Sequence, residues 1–144
     1  MSTTKGKNIL IVDDDEDLTN LYETFLTYDG YNVDTFTDPV GALYSFRKGL
    51  YDLVLLDLKM PKMNGVELFK KLQNIDPDLS YRFITAANKE YVENLKANNP
   101  TIEEYIIYKP LWLNEIRTTI HSLFSNKEKQ QKQNKDNILL MMLI

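Results

Sequence analysis

Five times between Asn8 and Phe124, a short apolar run is followed by apolar residues at helical spacing. Few folds accept that alternation. A strand buried on both faces reads as a continuous apolar run. A helix lying on a sheet shows apolar residues at i, i+3, i+4 and i+7. Strand and helix in strict alternation therefore predict a parallel sheet covered by helices on both faces. The strand-like runs are Asn8–Val12, Tyr31–Phe36, Leu53–Leu56, Tyr81–Ile84 and Tyr105–Tyr108. Leu18, Leu21, Tyr22, Phe25 and Leu26 form the first helical stripe, with Gly30 as its stop. Asp38 and Pro39 read as the cap and first residue of a second helix, with Val40, Leu43 and Tyr44 on its apolar face and Gly49 at its end. Asn64-Gly65 opens a third, carrying Leu68, Phe69, Leu72 and Ile75 and closed by Asp76-Pro77. Tyr91, Val92 and Leu95 mark a fourth, and Leu113, Ile116, Ile120, Leu123 and Phe124 a fifth.

A chain of 144 residues predicts one domain, or one domain plus a tail. Its 43% hydrophobic content is too high for a wholly disordered chain. The absence of cysteine excludes disulfide frameworks, thiolate metal sites and cysteine nucleophiles. A formal charge of -4 disfavours nucleic-acid binding. No run approaches the ~20 apolar residues of a membrane span, and the N-terminus lacks the apolar core of a signal peptide. The expectation is a soluble cytoplasmic protein, with residues 1–7 as an N-terminal extension, 8–125 as the domain and 126–144 as a tail.

In sheets of this kind the reactive groups sit beyond the carboxyl ends of the strands. Those positions are Asp13 and Asp14 after the first strand, Asp57 after the third, Thr85 at the end of the fourth and Lys109 after the fifth. Three converging carboxylates repel one another and need a cation. An oxygen-only donor set suits a hard ion, Mg2+ in particular. A metal, a nucleophilic carboxylate, a fixed cation and a hydroxyl are the parts needed to move a phosphoryl group onto an aspartate.

Four segments carry a resemblance: Ile9-Leu10-Ile11-Val12-Asp13-Asp14, Asp57-Leu58-Lys59-Met60-Pro61-Lys62-Met63-Asn64-Gly65, Thr85-Ala86 and Lys109-Pro110. In this order and spacing, from Asn8 to about Phe124, the chain resembles a response-regulator receiver domain of two-component (phosphorelay) signalling. The resemblance implies a flavodoxin-like, doubly wound α/β fold with five helices and strand order 2-1-3-4-5. It implies Asp57 as phosphoacceptor, and Asp14, Asp57 and the Lys59 backbone carbonyl as direct Mg2+ ligands, with Asp13 acting through water. Lys109 would pair with carboxylate and phosphoryl oxygens, across a cis Lys109-Pro110 bond, and Thr85 would be the switch hydroxyl, with small Ala86 leaving the approach open. An aromatic usually stands three residues before the lysine, where this chain has Ile106. A bulge before Lys109 would bring Tyr105 into that role, which is the preferred expectation; without one, Ile106 holds the place.

Lys59 and Ala87, at the two variable positions beside the site, carry no water-orienting carboxylate, so slow self-dephosphorylation is expected. The implied function is a single-domain regulator, not an enzyme in the ordinary sense. It would take its phosphoryl group from a histidine kinase or phosphotransfer protein. It would signal to a protein target through the face of the fourth helix, fifth strand and fifth helix, with homodimerisation open. The alternatives are a receiver cut from a longer regulator, a degenerate receiver used as a scaffold and, remotely, a haloacid-dehalogenase-type phosphatase built on Asp15-x-Asp17-x-Thr19. That phosphatase nucleophile directly follows its strand, which Asp15 does not. A calcium-loop reading of Asp13-x-Asp15-x-Asp17 fails, because Leu18 stands where the loop needs glycine and Thr24 where it needs glutamate. Lone His121 reads as an exposed helix residue. Residues 126–137 are almost wholly polar, a helix extension or a linker. Ile138–Ile144 is continuously apolar, either a chance end or a docking segment for a partner, a membrane surface or a second copy.

Overall fold

The computed structural model describes residues 6–109 and 112–143. Its strands are β1 (Asn8–Val12), β2 (Asn32–Phe36), β3 (Leu53–Leu56), β4 (Tyr81–Thr85) and β5 (Ile106–Tyr108). The helices are α1 (Glu16–Tyr28), α2 (Pro39–Ser45), α3 (Gly65–Ile75), α4 (Lys89–Lys96) and α5 (Leu113–Leu143), with a 3-10 turn at Ile102–Tyr105. All strand pairings are parallel, in the order β2-β1-β3-β4-β5. The chain winds outward from β1 to β2 and then back across to β3. Strand order thus reverses between β1 and β3, where ligand crevices form in open α/β sheets.

Side chains of β1 and β3 alternate between two separate apolar clusters. Leu10, Val12, Val54 and Leu56 pack with Ala42, Val66, Leu68, Phe69, Leu72 and Val92 from α2, α3 and α4. Ile9, Ile11, Leu53 and Leu55 pack with Tyr22 and Leu26 of α1 and Ile116, Ile120 and Phe124 of α5. Period-2 alternation on a strand covered on both sides produces this division.

Local signals set the helix starts. The side chains of Asp15, Asp38, Asn64 and Asn88 each accept a backbone N–H in the first turn of α1, α2, α3 and α4. The expected apolar faces need three corrections: Leu21 is 49% exposed, Tyr44 81% and Ile75 39%. The α1 stripe turns inward at Thr19, Tyr22 and Leu26, leaving Leu21 on its flank. α2 ends at Ser45, before Gly49, and Phe46 and Tyr51 beyond it fill the core, their rings stacked at 5.9 Å. β5 starts one residue late, because Tyr105 belongs to the 3-10 turn.

The fifth helix continues far past Phe124, to Leu143. Its outer part has no tertiary support: residues 132–143 are exposed, and Ile138–Leu143 are between 58% and 78% exposed. Among the described residues, no helix is long and apolar enough to cross a membrane. Truncation after Gln131 is expected to shift the thermal midpoint by no more than about 2 °C, as for changes at exposed surface. Ile120→Ala, at 1% exposure, should instead cost about 2–5 kcal/mol. Thermal and urea unfolding of the two variants would check this contrast.

Candidate functional site

The acidic run after β1 divides by role. Asp13 hangs directly off the strand, its N–H donating to the Phe36 carbonyl at 3.1 Å, and its side chain is buried. Its Oδ1 accepts the Asp15 N–H at 3.0 Å, which turns the chain sharply into α1. Asp15 caps α1 through the Leu18 N–H, and Glu16 and Asp17 lie in the first turn, where negative charge suits the helix dipole. Asp14 is exposed and lies with the site.

Asp57 follows β3 at the same sheet edge, its N–H donating to the Val12 carbonyl at 2.9 Å. Asp13, Asp14 and Asp57 each offer a carboxylate oxygen, and these lie within 4.8 Å of one another. Lys109 comes from the end of β5, held there by its N–H donating to the Thr85 carbonyl at 2.8 Å. Its Nζ donates to Asp13 Oδ2 at 2.6 Å and reaches Asp57 Oδ2 at 3.5 Å. Thr85 is fully buried; its Oγ1 accepts the Ala87 N–H at 3.0 Å, and its hydroxyl is turned to the Asp57 carboxylate as a donor. A cleft of about 320 Å3 opens beside Asp57, lined by Lys59, Thr85, Ala86, Ala87, Asn88 and Tyr91. A cavity of about 360 Å3 bordered by Asp52, Ser80, Arg82 and Lys127 lies at the opposite end of the strands, away from the carboxylates.

Charge is unbalanced here. Burial pushes the Asp57 carboxyl above its ordinary value and the Asp13 charge pushes it further; Lys109, the Thr85 hydroxyl and the Lys59 N–H pull the other way without prevailing. Burial alone would lower the Lys109 ammonium, yet its hydrogen bond to Asp13 and the charges of Asp13 and Asp57 hold it above the usual lysine range. Three carboxylates against this one ammonium leave a formal surplus that a single divalent cation would cancel. The donor set is all oxygen, which fits a hard ion.

The structure thus brings Asp13, Asp14, Asp57, Thr85 and Lys109 to one edge, with Lys59 following Asp57. Tyr105 lies elsewhere. β4 and β5 pair without a bulge (Phe83 with Ile106, Ile84 with Ile107, Thr85 with Tyr108), so the bulge expected before Lys109 is not there. Ile106 keeps the strand position, and Tyr105 stacks on Tyr81 at 4.7 Å and 8°, four residues before Thr85 on β4. The expected cis Lys109-Pro110 bond lies outside the described residues.

Two residues were missed by the sequence reading. Gly65 stands in the sequence as a helix start and as the end of a resembling segment, with no role of its own, yet a Cβ there would collide with the Asp57 carbonyl oxygen, while the Gly65 N–H donates to the Leu58 carbonyl at 2.8 Å. Tyr91, one of the apolar residues marking the fourth helix, packs partly against the core as expected and also borders the cleft. A glycine eight residues after the acid was visible; nothing local marked Tyr91.

The response regulator receiver domain model matches residues 9–121, and the chain belongs to that family. Among curated relatives, the response regulator SaeR of Staphylococcus epidermidis is 29% identical over 128 residues, 89% of this chain and 55% of its own. The chain thus spans about half the length of the curated relatives it matches. A CheY-like receiver domain protein from Methanospirillum hungatei superposes with a TM-score of 0.75 at 25% identity, covering 88% of this chain and 99% of its own. TrrA of Thermotoga maritima, solved in complex with Mg2+-BeF, gives a TM-score of 0.67 at 29% identity, covering 81% of this chain and 98% of its own.

A raised Asp57 pKa means that its ionised form costs folding stability. The cost is absent below the unfolded value of 3.8 and complete once the pH has passed the folded value. In metal-free buffer at neutral pH, Asp57→Asn should therefore melt higher than the native chain, by roughly 2–4 °C per kcal/mol relieved. The two melting curves should converge toward pH 4. Lys109→Ala should do the reverse, costing about 3–5 kcal/mol by stranding the buried Asp13 charge.

Proposed function

We propose that the chain is a single-domain response regulator that accepts a phosphoryl group on Asp57 from a phosphohistidine of a kinase or phosphotransfer protein. The observation that carries this reading is the Lys109 ammonium suspended between Asp13 and Asp57, with Asp14 beside them. An Asp57 oxygen attacks phosphorus, the bond from phosphorus to the donor imidazole breaks, and the imidazole leaves with its electron pair. Lys109 is already within 3.5 Å of Asp57 and shifts from Asp13 toward the incoming oxygens. The Thr85 hydroxyl, already a donor to the Asp57 carboxylate, donates to another. Asp13, Asp14, Asp57 and the Lys59 carbonyl would hold Mg2+, which supplies neutralising charge for a site gaining a dianion. TrrA, a relative of this fold, carries Mg2+-BeF.

Signalling would follow from what the new charge does to the face of α4, β5 and α5. Trp112 is 71% exposed and Tyr108 39% exposed beside that face, both residue types that favour protein interfaces. The net charge of -4 supports a protein rather than a nucleic-acid target. The protein would act in the cytoplasm, as a phosphoacceptor that promotes its own phosphotransfer and hydrolysis rather than as an enzyme on a separate substrate. Homodimerisation is compatible with this reading. A second reading, the receiver part of a longer regulator, is favoured by the span of about half of SaeR; the chemistry at Asp57 is the same under both.

Incubation with acetyl phosphate and Mg2+, followed by intact mass, tests the proposal. One phosphoryl adduct is expected on the native chain, none on Asp57→Asn, and none without a divalent cation. Adduct on both proteins, or on neither, would overturn the assignment.

A further inference from the structure

Around the cleft beside Asp57, most walls are chemically quiet or already engaged. Ala86 and Ala87 bring no polar side chain, and the Asn88 side-chain oxygen is occupied in accepting the Tyr91 N–H at 2.9 Å. Lys109 reaches Asp57 while anchored to Asp13 at 2.6 Å, and it does not line the cleft. The cationic residue that does line it is Lys59, exposed and two positions after Asp57, whose backbone N–H points to Asp57 Oδ1 at 3.4 Å. An exposed lysine usually samples many rotamers. This one has a resting place: its Nζ lies 5.6 Å from the centroid of the half-buried Tyr91 ring, in the first turn of α4.

We propose that Tyr91 is a positioning residue whose ring face parks the Lys59 ammonium over the mouth of the cleft, where it meets a phosphoryl group on Asp57 as a second counter-cation and ties α4 to the modified site. The inference rests on Asp57 being the phosphoacceptor and concerns how long the modification lasts and which helix senses it. A phosphoryl group brings a charge of about -1.5 to -2, so it attracts the ammonium, while the ring beneath keeps that ammonium from drifting into solvent. The lysine then stands where a hydrolytic water must enter. In hydrolysis the water oxygen bonds phosphorus and the acyl phosphate P–O bond breaks. The Asp57 carboxylate is restored, and inorganic phosphate leaves with the water's protons shared between it and solvent. α4 is held by Val92, fully buried, and by Tyr91 and Leu95, partly so, and an added tether on the same Tyr91 would strengthen that attachment.

The test uses the full chain, phosphorylated with acetyl phosphate and Mg2+, freed of donor and followed by intact mass. Hydrogen exchange of α4 amides is read before and after phosphorylation. Tyr91→Phe, which keeps the ring, should retain the native half-life and the extra protection of α4. Tyr91→Leu and Lys59→Met should each shorten the half-life by about 2–5-fold, the size of one exposed cation–π contact, and lose that extra protection. The double variant should be no worse than Lys59→Met alone. Lys59 is exposed, so its variant stays informative if Tyr91→Leu loosens α4 by itself. Native or longer half-lives in Tyr91→Leu and Lys59→Met would overturn the proposal. So would a Tyr91→Phe as short-lived as Tyr91→Leu, or effects that add in the double variant. No adduct on the native chain would instead sink the phosphoacceptor reading.

Discussion

Like charges do not gather at the end of a sheet unless something opposes their repulsion. Here Asp13 and Asp57 are both buried, and the Lys109 ammonium between them is the fixed cation that makes their proximity tolerable. The compensation is incomplete, as the raised Asp57 pKa shows. That shortfall makes the edge receptive: a group that brings a cation with it finds the cost of ionising Asp57 relieved. A fully neutralised cluster would be more stable and less responsive.

Backbone placement does the rest. β1 and β3 are adjacent, so Asp13 and Asp57 leave the sheet side by side, tied by the Asp57 N–H to the Val12 carbonyl. β4 lies between β3 and β5, which sets Thr85 next to Lys109 through one ladder hydrogen bond. The return from β3 into α3 passes so close to Asp57 that residue 65 has no room for a side chain. Lys62 in the same loop takes a left-handed backbone at φ 72°, a strained conformation for a lysine. Tight and strained backbone around an acid is how a loop fixes one carboxylate orientation.

Much of this was legible in the residues. Continuous apolar runs such as Ile9–Val12 and Leu53–Leu56 can hardly be anything but strands covered on both faces, and the polar residue ending each had to emerge at the same edge. Strand order came from resemblance, since alternation alone does not choose among windings. What escaped was whatever depends on the turn of a helix or the path of a loop. Tyr44 looks apolar at helical spacing, but α2 stops a residue later, and Phe46 and Tyr51 fill the space it would have filled. Tyr105 sits one residue from a strand whose ladder turned out regular, and its ring found Tyr81. Tyr91 has the spacing of a core residue, and only the fold shows that one side of its ring faces Lys59.

The sheet also partitions the apolar interior. One half, beneath α1 and α5, is seamed by the Tyr31–Phe124 stack and fastened outside by Arg117 gripping Asp29 at 2.7 and 3.0 Å. The other half carries α4, the most lightly rooted of the longer helices. The compartment under α4 is thus the less firmly held of the two. Firm and light attachment are housed on opposite sides of a single layer of strands.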